Sequence, residues 1–205
     1  EVAHQYNGKS VAEQHSIDLA WDLLMEDQYS DLRGLIYTSE DELVRFRQLV
    51  VNSVMATDIM DKELKEVRND RWARSFSSSD VAGSDVKEPS SERATVVIDH
   101  LIQASDVAHT MQHWHIYLKW NEKFFAECYE AYKNGRVKND PSVGWYKGEM
   151  GFFDFYIIPL AKKLKECGVF GVSGDEFLSY AAANRKEWEV KGESVVEGYL
   201  KKYGN

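Results

Sequence analysis

Apolar residues along this chain return at steps of three and four, and only three prolines interrupt its 205 residues. A chain patterned this way lays an apolar stripe along each of several helices, and those stripes must be buried against one another. Ile17, Ala20, Trp21 and Leu24 fall at i, i+3, i+4 and i+7, and Leu43, Phe46, Val50 and Val54 draw a second stripe. The Val/Thr alternation that builds strands is scarce. The expected fold is all-α, a compact multi-helix bundle.

Start and stop signals place the helices. Ser10 and Glu13 have the spacing of a capping box, as do Ser39 and Glu42. Helical periodicity runs from about 93 to 118, and again from about 119 to 133 with Trp120, Phe124, Phe125 and Cys128 inward. Gly135 follows as a stop. Residues 142–164 predict another long helix, which Pro159 should kink or restart. The tail predicts one or two closing helices. Residues 75–92 hold seven serines with Gly83 and Pro89, the composition of a flexible loop. The helices on either side are each one-faced, so they are expected to pack together across the loop within one domain, 1–205.

Net charge narrows the partners. At −9 the chain repels nucleic-acid phosphates and anionic lipid surfaces, so neither nucleic acid nor a membrane is an expected partner. Two cysteines, Cys128 and Cys167, make no CxxC pair and too few thiols for a disulfide framework or a structural zinc finger. No apolar run approaches the length of a membrane span. The compartment expected from these features is the reducing cytosol.

Chemistry concentrates at residues 101–120, where Asp106, His109, His113 and His115 sit in an apolar run. On one continuous helix Asp106, His109 and His113 would share a face, and a carboxylate with two imidazoles can hold a divalent metal. The competing reading is that His113 and His115, among Met111, Trp114 and Tyr117, merely end a core. Asp106 is harder to explain structurally, because a carboxylate among Ala104, Val107 and Ala108 is costly without a cation or donors. Thr57 and Asp58 end an apolar stripe and, taken alone, would cap a helix or face water.

Five runs change that picture: YNGKSVAEQH (Tyr6–His15), FRQLVVNSVMATD (Phe46–Asp58), QASD (Gln103–Asp106), NEKFF (Asn121–Phe125) and GEMGFFDFYIIPL (Gly148–Leu160). In their order and separation they resemble the class I 3′,5′-cyclic nucleotide phosphodiesterase catalytic domain, from Tyr6 to about Trp188. The resemblance implies an HD-domain-like helical fold and hydrolysis of cAMP, cGMP or both to 5′-monophosphates at a pair of divalent metals, zinc beside magnesium or manganese. Asp106 matches a ligand of the first metal. Glu13, Thr57 and Asp58 match positions that hold metal-bound waters or lie beside the metals. Phe152 matches the ring that stacks on the base, Glu149 falls where the family has a glutamine that reads the base edge, and His109 falls near the base pocket.

The departures carry their own expectations. The family domain begins upstream of YNGKS, and its general-acid histidine, metal-binding histidines and His-Asp pair lie there. This chain therefore reads as the C-terminal portion of the domain, with the N-terminal part missing. It is expected to leave both metal sites unfilled and to be inactive alone. Helix faces that the missing half would cover are expected to drive homodimer or domain-swapped association. Gln103, Thr110 and Ser16 replace a histidine, a proline and a second histidine of the family pattern. Glu149 in place of glutamine only accepts hydrogen bonds, which implies weaker cAMP recognition and a residual preference for cGMP. The alternative of a different class is a non-catalytic helical pseudoenzyme or regulatory module. By resemblance the location is cytoplasmic, or the cytosolic portion of a larger membrane-attached signalling protein.

Overall fold

The structure is a computed structural model that describes residues 2–76 and 90–204. It is all-α, with no strand among the described residues. No helix among them is long and apolar enough to cross a membrane. The chain forms two compact units, 1–106 and 107–205.

The first unit holds α1 (Val2–Gln5), α2 (Val11–Met25), α3 (Ser30–Ile36), α4 (Glu40–Ala56), α5 (Lys62–Phe76) and α6 (Ser90–Asp106). α4 packs on α2 and on α6, and α5 lies against α6. Ile17, Ala56, Trp72, Val96 and Ala104 are buried between them. Three of the polar groups in this core, Gln103, His100 and Arg68, are matched to backbone, and buried Asp99 accepts from Arg71 at 3.0 Å. Gln103 donates from Nε2 to the Ala56 carbonyl at 3.0 Å, and the His100 Nδ1 lies 2.8 Å from the Val96 carbonyl oxygen. Arg68 donates to the carbonyls of Met55 and Asp58 at 3.4 and 2.9 Å. These carbonyls lie at the C-terminal end of α4 and just beyond it, where helix acceptors lack intrahelical partners.

The two expected capping boxes fare differently. Ser39 accepts from the Glu42 N–H at 3.3 Å, and Glu42 reaches back to the Thr38 N–H at 2.7 Å. Ser10 has a left-handed backbone, φ 41°, and makes no side-chain cap bond. Its hydroxyl donates instead to Asp58 Oδ2, 2.6 Å away. A charged acceptor outcompetes the backbone as a partner for that hydroxyl. The Ser-rich stretch 77–89 lies outside the described residues, and its flanks, 75–76 and 90–92, belong to α5 and α6.

The second unit holds α7 (Trp114–Lys133), α8 (Trp145–Phe152), α9 (Ile158–Glu166) and α10 (Val172–Tyr203). α10 is the spine against which the other three pack. Tyr117, Phe125, Phe153, Ile157 and Trp188 are fully buried along it. The helix expected over 93–118 is broken: α6 ends at Asp106, a 3-10 turn spans Ala108–Met111, and α7 starts afresh at Trp114. The break is stabilised by side chains. Thr110 Oγ1 donates to the Val107 carbonyl at 2.6 Å, and Asn184 of α10 donates to the carbonyls of Thr110 and Gln112 at 2.9 and 2.7 Å. Helix carbonyls released by the turn thus find new donors.

α7 runs through the boundary expected at 118/119, and it buries Phe125 as expected but not the Trp120 and Phe124 expected beside it. Tyr117, Asn121 and Phe125 point inward, whereas Trp120 and Phe124 are about half exposed. Gly135 ends the stretch as expected, at φ 69° with its N–H on the Tyr132 carbonyl. Pro159 sits in the first turn of α9, and the five residues before that helix, Phe153–Ile157, form a π-helical turn. A ring without an N–H fits a helix start and not a helix interior. The tail is one helix, α10.

Candidate functional site

In the first unit, Tyr6–Ser10 form a tight turn before α2 in which Asn7, Gly8 and Ser10 all have positive φ. Ser10 ties that turn to the end of α4 through Asp58, and Lys9 reaches Glu63 at 2.8 Å. Asp58 is well supplied with donors. One carboxylate oxygen takes the Ser10 hydroxyl, and the other takes the backbone N–H groups of Met60 and Asp61 at 3.0 and 3.1 Å. Partial burial pushes its pKa up, but Ser10, the two N–H groups and the nearby Arg68 charge together hold it below the ordinary carboxylate value. Thr57 Oγ1 donates to the Val54 carbonyl at 2.8 Å, closing the last turn of α4. Glu13 is half-buried one turn into α2.

Asp106 is the last residue of α6, and its side chain is exposed. The apolar residues beside it in sequence point elsewhere, so the burial cost inferred for it does not arise. His109 lies in the following 3-10 turn, and His113 is the residue just before α7, with no side-chain cap bond to it. The metal face drawn from Asp106, His109 and His113 needs one continuous helix, which the break removes. His113 accepts or donates toward the Tyr180 hydroxyl at 3.0 Å, and its ring lies 5.9 Å from that of His115. Both histidines are exposed. No three His, Cys, Asp or Glu side chains among the described residues converge as a metal site. With Asp58 already occupied by three donors, a single exposed carboxylate does not by itself fit a two-metal centre.

The second unit holds a buried polar cluster that sequence reasoning did not find. Glu149 of α8 accepts from the Tyr117 hydroxyl at 2.7 Å. Asn121 Nδ2 faces the same hydroxyl at 3.4 Å, and the Trp145 indole donates to Asn121 Oδ1 at 3.2 Å. The signal was present in the spacing: 117 and 121 are one turn apart on α7, and 145 and 149 one turn apart on α8. Burial raises the Glu149 pKa, against the lowering pull of Tyr117 and Asn121. One turn on, half-buried Phe152 stacks on Tyr156 with ring centroids 5.3 Å apart. His109 is half-buried with its ring 6.1 Å from that of Trp120, and burial lowers its pKa. Glu149 and Phe152 are thus neighbours on α8, one with an aromatic face and the other with hydrogen-bond acceptors.

Known proteins give this arrangement a context. Residues 1–169 match the family described as 3′5′-cyclic nucleotide phosphodiesterase. The mouse dual specificity calcium/calmodulin-dependent 3′,5′-cyclic nucleotide phosphodiesterase 1C is 25% identical over 162 residues, which are 75% of this chain and 21% of that protein. A Caenorhabditis elegans protein described as a probable 3′,5′-cyclic-AMP phosphodiesterase is 26% identical over 169 residues, 78% of this chain and 24% of its own. The chain thus spans between a fifth and a quarter of these relatives. The crystal structure of the phosphodiesterase domain of Salpingoeca rosetta rhodopsin phosphodiesterase superposes with a TM-score of 0.69 at 21% identity, covering 99% of this chain and 61% of that one. A fold shared along the whole chain and a family match over most of it lead to one assignment: the chain belongs to the 3′,5′-cyclic nucleotide phosphodiesterase family.

Proposed function

We propose that this chain supplies the base-binding part, and one metal-binding carboxylate, of an enzyme that hydrolyses 3′,5′-cyclic nucleotides to 5′-monophosphates. The family match over residues 1–169 carries the proposal. The placement of Phe152 and Glu149 side by side on α8 supports it, since a purine needs a flat apolar face and an edge of polar groups at once. His109 borders the base in this reading. Asp106, exposed at the end of α6, is free to ligate a divalent cation, with zinc and magnesium or manganese the expected metals. No further ligands converge with it among the described residues. Glu13, Thr57 and Asp58 serve as water-holding neighbours, with Asp58 fixed by Ser10.

Hydrolysis of cAMP and cGMP with Mg²⁺, Mn²⁺ and Zn²⁺ tests the reading, comparing the 205-residue chain with an N-terminally extended form. Turnover by the extended form alone, lost on Asp106→Asn, is the expected result. One observation favours a second reading, a non-catalytic regulatory module: the Asp58 carboxylate is consumed by internal donors. Binding of cyclic nucleotide without turnover in both forms would establish that reading instead.

A further inference from the structure

Arg71 and Arg74 lie one turn apart on α5, and they border a cavity of about 260 Å³ between that helix and the start of α6. Ser75, Glu92 and Val96 complete its walls. The space equals roughly eight waters at their liquid volume, enough for a small molecule. Arg71 is fixed from behind. Asp99, 4% exposed, accepts from its Nη1 at 3.0 Å, and the other Asp99 oxygen has no donor. The buried carboxylate thus leans on Arg71 alone for a hydrogen bond, and it leaves the other guanidinium N–H groups as oriented donors.

Two further charges are uncommitted. Arg74 and Glu92 are exposed, and neither makes an ion pair with any group among the described residues. An unpaired cation and an unpaired anion on the walls of one hollow select what fits it. A simple anion is drawn to the arginines and repelled by Glu92, and a simple cation meets the reverse. A molecule that carries both charges satisfies both walls at once.

We propose that this hollow is a binding site for a small zwitterion, one with an ammonium a few atoms from a phosphate or carboxylate. The anionic end takes N–H groups of Arg71 and Arg74, whose planar forks suit such oxygens. The ammonium takes the Glu92 carboxylate. All of these residues lie in the first unit, and the inference does not depend on the phosphodiesterase reading.

Calorimetric titration of the 205-residue chain with O-phosphoethanolamine, in phosphate-free buffer, is the test. Saturable one-to-one binding is expected, weakened about tenfold or more by Arg74→Gln and likewise by Glu92→Gln, the loss of one charge-assisted contact each. Both side chains are exposed, so circular dichroism should be unchanged in either variant. Inorganic phosphate and ethylamine, which carry one charge apiece, are expected to bind at least about tenfold more weakly than the joined molecule. Vesicles of phosphatidylethanolamine in phosphatidylcholine separate two sources of the same chemistry. Retention of the chain, lost in Glu92→Gln, assigns the site to a lipid headgroup, and no retention assigns it to a free zwitterion. Equal affinity for inorganic phosphate, or no change in Glu92→Gln, overturns the proposal in favour of a plain anion site. No saturable binding of O-phosphoethanolamine overturns it outright, and each of these results leaves the phosphodiesterase reading standing.

Discussion

Ser10 and Glu149 show how much of a residue's role is set by partners far away in sequence. Ser10 has the spacing of a helix cap, yet its hydroxyl serves Asp58, 48 residues on. Removing it with Ser10→Ala is expected to cost about 1 kcal/mol, the usual net worth of a part-buried hydrogen bond, read as a lower urea midpoint with unchanged m. The pH dependence gives a second check. The folded pKa of Asp58 is lowered, so its contribution is present above the unfolded carboxylate value and lost as pH falls through the folded one. Ser10→Ala should therefore flatten the acid limb of stability against pH. Glu149 has the opposite sign, because burial raises its folded pKa. Between the ordinary carboxylate value and that raised one, the folded chain binds more protons than the unfolded chain, so stability falls as pH rises. Glu149→Gln is expected to abolish this decline and to be the more stable form at pH 8. A urea titration series from pH 4 to 8 decides it, and a steeper decline in the variant would contradict the buried-carboxylate account. The one-turn spacings of 117/121 and 145/149 mark each half of this cluster, but nothing local pairs them, because Tyr117 lies 32 residues from Glu149.

Helix existence was legible from the 3.6-residue period, but helix ends and faces were less so, for identifiable reasons. The stripe from Val96 to Met111 keeps its period across the break at 106–114, and the break is stabilised by Asn184, more than 70 residues later. On α7, aromatic residues fall on two adjacent faces, so period alone brought in Phe125 correctly but could not choose between Trp120/Phe124 and Tyr117 as its companions; contact with Trp188 and Tyr199 of α10 selects Tyr117 and Phe125. α10 also illustrates a glycine chosen for space. A Cβ on Gly192 would lie 2.8 Å from the rings of both Trp188 and Tyr146. Trp188 is fully buried and its indole donates to the Tyr146 carbonyl at 3.1 Å, so neither ring can yield freely. Alanine in a helix gains about 1 kcal/mol over glycine, whereas overpacking costs about 1–3 kcal/mol. Gly192→Ala is therefore expected to destabilise by up to about 2 kcal/mol, seen as a lower thermal midpoint. Gly198 of the same helix has nothing near its added Cβ, so Gly198→Ala is the control and should stabilise.

At the scale of the whole molecule, the distribution of apolar surface is the feature that the family assignment does not explain by itself. On α2, Ile17 is buried while Leu19 and Leu23, one turn apart, are 58% and 50% exposed. Leu35 of α3 and Val44 of α4 are also exposed in the same unit, as are Phe155 and Val172 in the other. Scattered exposed leucines are ordinary, but a pair at helical spacing forms one side of a seam and is stabilised when another apolar surface covers it. A net charge of −9 opposes association at long range and is screened within about 8 Å at physiological salt. The two effects make a joint prediction. Light scattering at tens of micromolar should give a mass above the 23.6 kDa of the single chain, and more so as salt is raised. The double substitution Leu19→Glu with Leu23→Glu, on residues that the core does not use, should return the mass toward the single chain with circular dichroism unchanged. A single-chain mass for the unaltered protein at every salt concentration would mean that these leucines are solvated as they stand. The association expected from the sequence would then fail, although the family motifs had identified the fold.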